Sequence, residues 1–308
     1  MVINPAAGVG KPILSILNTV FVENGVDWDI SITHRAGDAQ RLAQQAVKEG
    51  ADVVAAYGGD GTVTEVASGL LGSQVPLAIL PGGTANVLSR ELAIPPGLAE
   101  AARVACDPQS VIDQIDVGRM GEHNFLLRVG IGFEAAMVEQ ADRSLKDNFG
   151  VLAYLWSALK NLREPVVANY QLVLDGQEVE CQGFACTIAN SGNLGLTGLQ
   201  LSAAISVRDA LLDVFIVEEA SLRSLREVLG QVFSGPESTS TALGAAEQSY
   251  SDQIQSSLRH WQAKEISLRM QPLQVIQYDG EILASPQLPL RFSVLPQALR
   301  VLVPASQS

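Results

Sequence analysis

Basic residues are scarce in this sequence. The 308 residues include 20 lysines and arginines and 33 aspartates and glutamates, which gives a formal net charge of −13. Nucleic-acid binding requires a basic face that neutralises phosphates, so this balance excludes it as a function class. The same balance argues against simple electrostatic docking on an anionic membrane, so any membrane contact has to be local and apolar.

Cysteine, histidine and long apolar runs are also scarce. Cys106, Cys181 and Cys186 show no C-x-x-C spacing, which is typical of a reducing cytosol rather than of a disulfide framework. The three histidines lie too far apart for a zinc motif. No apolar run approaches 18 residues, and the N-terminus has no signal-peptide pattern. We therefore predict a cytoplasmic protein and leave open a peripheral location at the inner membrane surface.

The first hundred residues alternate between strand-like and helical segments. The pattern predicts strands at 2–4, 27–33, 52–57 and 76–80, and helices at 13–22, 39–48, 62–71 and 84–92. Such alternation predicts a mostly parallel sheet wrapped by helices. Ligands of such sheets bind beyond the carboxyl ends of the strands.

From about residue 116 strand-like segments dominate. They lie at 125–129, 170–174, 184–188, 212–217, 265–270, 275–278 and 290–295, with one helical segment at 134–162. This change predicts a second domain of antiparallel strands, with its boundary near 115–120. Residues 234–257, rich in Ser, Thr and Gly, are predicted to form a mobile loop.

The segment G-G-D-G-T-V-T-E (58–65) places glycines around one carboxylate, directly before a helix. Glycines let a ligand approach the backbone, and a helix N-terminus favours a phosphate. Asp60 fits beside a phosphate if Mg²⁺ lies between them, or if it accepts a proton from an attacking hydroxyl. The alternative is an ordinary strand-to-helix turn, in which Thr62 and Glu65 form a capping box.

A second glycine loop, L-P-G-G-T-A-N (80–86), repeats this arrangement with Thr84 as the predicted helix cap. A third, N-P-A-A-G-V-G-K (4–11), follows the first strand but is not a Walker A motif, because prolines stand at positions 5 and 12. Residues 130–135 match G-x-G-x-x-A but lack the acidic residue of a dinucleotide-binding unit. Two similar loops on neighbouring strands indicate a phosphate site rather than coincidental turns.

Together, N-P-A-A-G, G-G-D-G-T, P-G-G-T-A-N and the late Y-D-G-E (278–281) resemble the diacylglycerol kinase catalytic-domain family of lipid kinases. The resemblance covers nearly the whole chain, although G-G-D-G-T alone is shared with NAD kinases and phosphofructokinases. It implies an α/β ATP-binding domain (1–117) and a β-rich, sandwich-like lipid-substrate domain (118–296), as in the NAD kinase/diacylglycerol kinase-like fold. It further implies that residues 297–308 return to the first domain and that chemistry occurs in the cleft between the domains.

The resemblance implies ATP as co-substrate, Mg²⁺, and a lipid substrate at a membrane surface; it leaves a homodimer open. The implied ATP contacts are Asn4, Thr33, Gly58, Gly59, Asp60, Gly61, Thr62, Val63, Thr64, Glu65, Gly83, Thr84 and Asn86. The implied catalytic acids are Glu281, Asp279 and Asp60, and which of them is the base stays open. By itself, Asp279-Gly280 is also a common turn. A structural Mg²⁺ site maps to Asp209, Ser206 and Leu211.

Two departures from the family pattern bear on activity. Val87 stands where relatives often carry an aspartate, and Arg208 puts a positive charge beside the structural Mg²⁺ site. They motivate the alternative of a nucleotide- or lipid-binding protein without turnover. A further alternative is a kinase for a soluble substrate, like NAD kinase. We expect the lipid to enter near the helical segment 134–162.

Overall fold

The computed structural model describes residues 1–8, 12–132, 166–196, 199–200, 205–218 and 258–305. The predicted helical segment 134–162 and the predicted loop 234–257 therefore lie outside the described residues. The chain forms two compact units. The first comprises the described residues of Met1–Val117, Val207–Ala210 and Leu295–Ser308, and the second those of Gly118–Ser206 and Leu211–Val294.

The first unit is a parallel sheet with helices. Its strands are β1 (Val2–Ile3), β2 (Ser31–Ile32), β3 (Val54–Gly58) and β4 (Leu77–Pro81), in the order β2-β1-β3-β4. Its helices are α1 (Ile13–Glu23), α2 (Asp38–Lys48), α3 (Asp60–Leu70), α4 (Val87–Glu91) and α5 (Leu98–Cys106). Every residue of β3 and β4 is buried, as expected for parallel strands covered on both faces. The carboxyl ends of these strands consequently share one edge of the sheet.

The second unit is a β-sandwich. One sheet contains β15 (Glu265–Gln271), β8 (Ala168–Leu174) and β9 (Gln177–Gly183). The other has the order β14 (Leu258–Ala263), β13 (Leu212–Val217), β10 (Ala185–Ala189), β7 (Arg128–Gly132), β16 (Ile276–Tyr278) and β17 (Glu281–Ile282). Apolar side chains of both sheets form one core, which includes Tyr170, Leu268, Val129 and Ile188. The predicted fold class, a parallel α/β domain with a β-rich sandwich-like domain, is confirmed.

The remaining strands are β5 (Val111–Met120), β6 (His123–Phe125), β11 (Asn193–Leu196), β12 (Leu199–Gln200) and β18 (Leu290–Val303). In the second unit, the first part of β18 pairs antiparallel with β15. In the first unit, its last part pairs parallel with β4, through Val301 and Leu77. None of the described helices is long and apolar enough to span a bilayer.

Several element boundaries differ from the sequence prediction. The strand predicted at 27–33 shrinks to Ser31–Ile32, and the helix predicted at 84–92 begins only at Val87. That helix starts late because Asn86 adopts a left-handed conformation, with φ at 46°. The strand predicted at 125–129 is two strands, β6 and β7, separated at Leu126 and Leu127. The sequence prediction missed α5, β5, β9 and β14, and the short strands β11, β12 and β17.

Candidate functional site

The carboxyl ends of the first unit's strands bring four predicted contact segments together. The loop after β1 lies beside the end of β3, the residue after β2 lies beside the end of β1, and the two glycine loops follow neighbouring strands. Three backbone hydrogen bonds join them: Asn4 N to Tyr57 O at 2.9 Å, Thr33 N to Ile3 O at 2.9 Å, and Gly82 N to Gly58 O at 2.8 Å. Asn4, Thr33 and both glycine loops thus occupy one edge of the sheet.

Helix α3 begins at Asp60, and Gly59 is its N-cap in extended conformation. As a glycine, the N-cap residue has no side chain that could cap this end of the helix. The predicted capping box of Thr62 and Glu65 is therefore wrong, because the helix starts two residues before Thr62. Backbone N–H groups of an uncapped first turn carry partial positive charge and bind anions.

Thr62 links the first glycine loop to the loop after β1. Its hydroxyl Oγ1 accepts a hydrogen bond from Asn4 Nδ2 at 3.0 Å. Thr62, Val63 and Thr64 all have buried side chains. A nucleotide contact from these three residues would therefore come chiefly from their backbone, and it stays a prediction.

Glu65 has a position that the sequence did not indicate. Its Oε1 accepts a hydrogen bond from Gly37 N at 2.9 Å, and its Oε2 accepts one from Ala39 N at 3.1 Å. Gly37 is the N-cap of α2, so the carboxylate of Glu65 caps the first turn of that helix across more than 25 residues of sequence. A contact between Glu65 and a nucleotide stays a prediction.

The second glycine loop is closed by Asn86. Gly83 N donates to Asn86 Oδ1 at 2.9 Å, and Asn86 Nδ2 donates to Gly83 O at 2.7 Å. Both polar atoms of the Asn86 side chain therefore serve the loop itself. Thr84 is exposed and is not the N-cap predicted from the sequence; α4 has Asn86 there. The roles of Gly83, Thr84 and Asn86 toward ATP stay predictions.

Asp60 belongs to the first glycine loop and is half-buried. Its Oδ1 accepts a long hydrogen bond from Leu88 N at 3.4 Å, so the acid touches the helix after the second loop. Mg²⁺ in phosphate-transfer sites is commonly held by one or two carboxylates together with phosphate oxygens. One carboxylate beside an uncapped helix N-terminus fits such an ion.

Tyr57 is a part of this edge that the sequence analysis missed. Its side chain is 1% exposed, and burial raises the pKa of its hydroxyl. A methyl group on Gly82 would lie 2.9 Å from the Tyr57 ring, and one on Gly8 would overlap its hydroxyl. The Tyr57 side chain therefore packs against both the loop that contains Gly8 and the loop that contains Gly82. Its position at the end of a buried strand, between two glycine-rich segments, is the signal that could have identified it.

In the second unit, Asp279 is bound by a row of backbone amides. Leu126 N donates to its Oδ2 at 2.7 Å, and Leu127 N and Arg128 N both donate to its Oδ1 at 3.0 Å. These donors are the two residues between β6 and β7 and the first residue of β7, about 150 positions earlier in the chain. The carboxylate of Asp279 therefore holds the D-G-E turn against this loop.

Glu281 contrasts with Asp279. Asp279 and Gly280 form a two-residue hairpin turn, which Glu281 follows. Both turn residues have positive φ, 45° at Asp279 and 95° at Gly280, as a type I′ turn requires. Glu281 opens β17 and is exposed, and its side chain makes no hydrogen bond or ion pair with the described residues. Of the two acids in this motif, Glu281 has the carboxylate that receives no hydrogen bond from the described residues, whereas Asp279 receives three.

The loop proposed to hold a structural Mg²⁺ is organised by protein groups. Asp116, fully buried, accepts hydrogen bonds from Ala210 N at 2.7 Å and from Gln297 N at 2.8 Å. Arg208 forms an ion pair with Asp113, with 2.8 Å between its Nε and Asp113 Oδ2. Within the described parts of the chain, no group of three or more His, Cys, Asp or Glu side chains could hold a metal. The predicted site combines one carboxylate with backbone carbonyls, so a Mg²⁺ ion at Asp209, Ser206 and Leu211 stays a prediction.

Asp116 was also missed from the sequence. An acid inside the apolar strand segment I-D-V is unusual, and a fully buried carboxylate requires hydrogen-bond donors. That unusual position is the available signal. The partners themselves, 94 and 181 residues away, leave no local trace.

Comparisons with known proteins agree with the fold of both units. The sequence model of the diacylglycerol kinase catalytic domain matches residues 1–120, and that of the YegS C-terminal NAD kinase beta sandwich-like domain matches residues 128–303. A diacylglycerol kinase structure from Bacillus anthracis superposes with a TM-score of 0.75 at 25% identity, covering 98% of this chain and 95% of that one.

Two curated relatives are similar over most of this chain. An uncharacterized protein of Synechocystis is 30% identical over 284 residues, which are 91% of this chain and 62% of that protein. A Staphylococcus haemolyticus protein, named as a putative lipid kinase, is 29% identical over 89% of this chain and 84% of its own length. This chain thus spans less than two thirds of the Synechocystis relative.

Proposed function

The chain belongs to the diacylglycerol kinase catalytic-domain family, and on that premise we propose that it is an ATP-dependent lipid kinase. It transfers the γ-phosphoryl group of ATP to the hydroxyl of a lipid such as diacylglycerol. The first unit binds the nucleotide, and the second binds the lipid.

One observation carries the proposal: two glycine loops lie side by side at the carboxyl ends of β3 and β4, next to the N-terminus of α3, where the N-cap residue is Gly59. Phosphoryl transfer depends mostly on positioning and on neutralising phosphate charge. The N–H groups of the first turn of α3 supply the charge, and the glycine backbone lets phosphates approach closely. Asn4 and Thr33 border the same edge.

The proton of the lipid hydroxyl passes to a carboxylate. The hydroxyl oxygen forms a bond to the γ-phosphorus while the bond from that phosphorus to the bridging oxygen breaks, so that ADP leaves. We assign proton acceptance to Glu281, because the three amide donors already occupy Asp279. Asp279 is then a positioning residue, which orients the turn that carries Glu281.

Asp60 is the residue that fits Mg²⁺ at the nucleotide. Bound there, the ion would supply charge neutralisation for the phosphates. Asp60 orients that charge from the first turn of α3, where its Oδ1 is already positioned by Leu88 N.

The proposal is tested by incubating the protein with radiolabelled ATP and a panel of acceptors. The panel contains diacylglycerol, a sphingoid base, phosphatidylglycerol, an undecaprenol-like alcohol and, as a soluble acceptor, NAD. Label extracted into organic solvent is the expected result, and it should vanish in the Asp60→Asn variant. Label transferred only to NAD would instead identify a soluble-substrate kinase.

A second candidate, a binding protein without turnover, is favoured by one observation. Val87, at the first position of α4, is a buried apolar side chain where relatives often carry an acid. ATP binding without labelled product from any acceptor would support this candidate.

A further inference from the structure

The strand order of the first unit reverses between β1 and β3. Along the chain β1 is followed by β2 on one side of the sheet, and β3 is followed by β4 on the other side. In open α/β sheets, ligands bind in the crevice beyond the carboxyl ends of two such strands. The segment N-P-A-A-G (4–8) leaves β1 at this crevice, and the first glycine loop leaves β3 there. A side chain that reaches between these two segments is therefore placed to touch a ligand.

Tyr57 is a side chain that reaches between them. It is the last residue of β3 that has a side chain, and its backbone carbonyl accepts the hydrogen bond of Asn4 N. Its ring lies against Gly82, and its hydroxyl reaches Gly8, where an added methyl group would overlap it. Gly8 has a left-handed conformation, with φ at 61°, so the backbone turns where the hydroxyl meets it. The hydroxyl therefore ends at the crevice between β1 and β3.

The Tyr57 hydroxyl has no partner in the part of the chain that the structure describes. The side chain is 1% exposed, and none of its atoms forms a hydrogen bond with a described residue. Tyr170 is equally buried, but its hydroxyl donates to Gln274 Oε1. Buried tyrosine hydroxyls usually have such a partner, because burying a hydroxyl without a hydrogen bond is unfavourable. A group from outside the chain is therefore a fitting partner for Tyr57.

The chemistry of the hydroxyl indicates the kind of partner. Burial raises the pKa of Tyr57, so the phenol stays protonated at neutral pH and can donate a hydrogen bond. A phosphate oxygen is a strong acceptor for such a donor. A metal cation instead prefers carboxylate or carbonyl oxygens. The hydroxyl thus fits an anion in the crevice better than a cation.

We propose that the Tyr57 hydroxyl donates a hydrogen bond to a phosphate oxygen of the bound nucleotide. This contact deepens the proposed function and rests on it, because it adds a binding residue to the kinase site. The ring has a separate role, since it packs against Gly82 with or without the hydroxyl. The variant Tyr57→Phe removes the hydroxyl and keeps the ring, so it separates the two roles.

The test compares nucleotide affinity with the stability of the nucleotide-free protein. Isothermal titration with Mg·ATP should show that Tyr57→Phe binds roughly tenfold more weakly, as the loss of one hydrogen bond to a charged group predicts. Thermal melting without nucleotide should show a Tm that holds or rises, because the variant loses a buried hydroxyl that had no partner. A tyrosine with a packing role only would give the reverse pattern, with a lower Tm and unchanged ATP affinity.

Tyr170→Phe is the matched control. It removes a hydroxyl of the same burial, but one that has a partner in the core of the second unit. Gln274 Oε1 would lose its donor, so the Tm should fall. The ATP affinity of this variant should equal that of the wild type.

Inorganic tripolyphosphate with Mg²⁺ tests whether the contact is to a phosphate. It should raise the Tm of the wild type, and it should raise the Tm of Tyr57→Phe by less. An equal rise in both proteins, together with weaker ATP binding by the variant, would place the hydroxyl at the nucleoside and overturn the phosphate assignment. A wild-type Tm that tripolyphosphate does not change would also contradict a phosphate site in this crevice.

Three other results would overturn the proposal: Tyr57→Phe with wild-type ATP affinity, Tyr57→Phe with both a lower Tm and a lower affinity, or Tyr170→Phe with an equal loss of affinity. These results are separable from failure of the kinase proposal. Wild-type protein that binds ATP but phosphorylates no acceptor would refute only the kinase. Protein that phosphorylates a lipid, with a Tyr57→Phe variant of unchanged ATP affinity, would refute only the Tyr57 contact.

Discussion

The backbones of Gly59 and Gly83 meet with no room for a side chain between them: a methyl group on Gly83 would lie 2.6 Å from the Cα atom of Gly59. Each residue belongs to one glycine loop, and the loops follow the paired strands β3 and β4. This contact sets the spacing of the candidate phosphate site. It explains why the second loop requires glycine at position 83.

Gly83→Ala should therefore destabilise the protein. The added methyl must displace a backbone atom of the neighbouring loop, and such overpacking typically costs about 1–3 kcal/mol. Thermal melting should show a lower Tm. The matched control is Gly61→Ala, because a methyl there meets nothing within 4 Å. A Tm for Gly83→Ala as high as that of the control would contradict the contact.

Gly61→Ala should separate nucleotide binding from stability. Gly61 lies in the first turn of α3, where alanine favours a helix by roughly 1 kcal/mol over glycine, so the Tm should hold or rise. The same methyl should hinder phosphates approaching the backbone and lower the ATP affinity. Isothermal titration with Mg²⁺, repeated with EDTA, measures both effects. ATP affinity equal to that of the wild type would show that the phosphates do not bind at this turn. ATP affinity that EDTA does not change would show that no metal takes part in binding.

Asp60→Asn should abolish most turnover with the fold intact. Asparagine keeps the size of the side chain and can still accept the hydrogen bond of Leu88 N, but it removes the charge. An acid that orders Mg²⁺ or accepts a proton should reduce kcat by roughly 10²–10⁴-fold when neutralised. Weaker binding of Mg·ATP by the variant would indicate that Asp60 holds the metal. Unchanged ATP affinity would indicate that Asp60 takes part in proton transfer. Near wild-type kcat with the same Tm would leave Asp60 a structural role only.

Asp279→Asn and Glu281→Gln should differ in kind. The amide introduced by Asp279→Asn would turn an NH₂ group toward a backbone N–H donor, and one unsatisfied partly buried donor costs about 1–3 kcal/mol, so the Tm should fall. Glu281→Gln changes an exposed side chain without described partners and should leave the Tm unchanged while lowering kcat. Melting curves and kcat for both variants decide this. A lower Tm for Glu281→Gln, with unaffected kcat, would reverse the two assignments.

Asp38→Asn should have a pH-dependent effect on stability. The N–H of His34 is the main cause that lowers the pKa of Asp38 below the ordinary value of 3.8, with help from Arg41 and Arg35. A depressed folded pKa contributes stability that is present above the ordinary value and is lost as the pH falls through the folded pKa. The Tm difference from wild type should therefore be largest near neutral pH and shrink below about pH 4. Asp52→Asn, at an exposed acid, should show little difference at any pH. A Tm difference for Asp38→Asn that is constant with pH would refute the assignment.

The local chemistry of the site was readable from the sequence. Glycines at 58, 59 and 83 follow buried strands whose apolar runs are continuous in sequence, and Asp279-Gly280 has the residue types of a two-residue turn. Such features depend on neighbouring residues only: strand burial follows side-chain hydrophobicity, and the turn follows the positive φ that glycine and aspartate tolerate. The fold class and the turn were predicted for this reason.

The tertiary structure alone decided what the acids touch. Glu65, for which the sequence suggested an ATP contact or a cap of its own helix, caps α2, and Asp279, one of three candidate catalytic acids, receives amides from residues 126–128. The sequence does not distinguish the roles of these acids, because any carboxylate can accept hydrogen bonds from N–H donors. The donors that reach each carboxylate come from segments 26 to 153 residues away in sequence. Tertiary folding brings these segments together, and no local sequence pattern indicates which ones will meet.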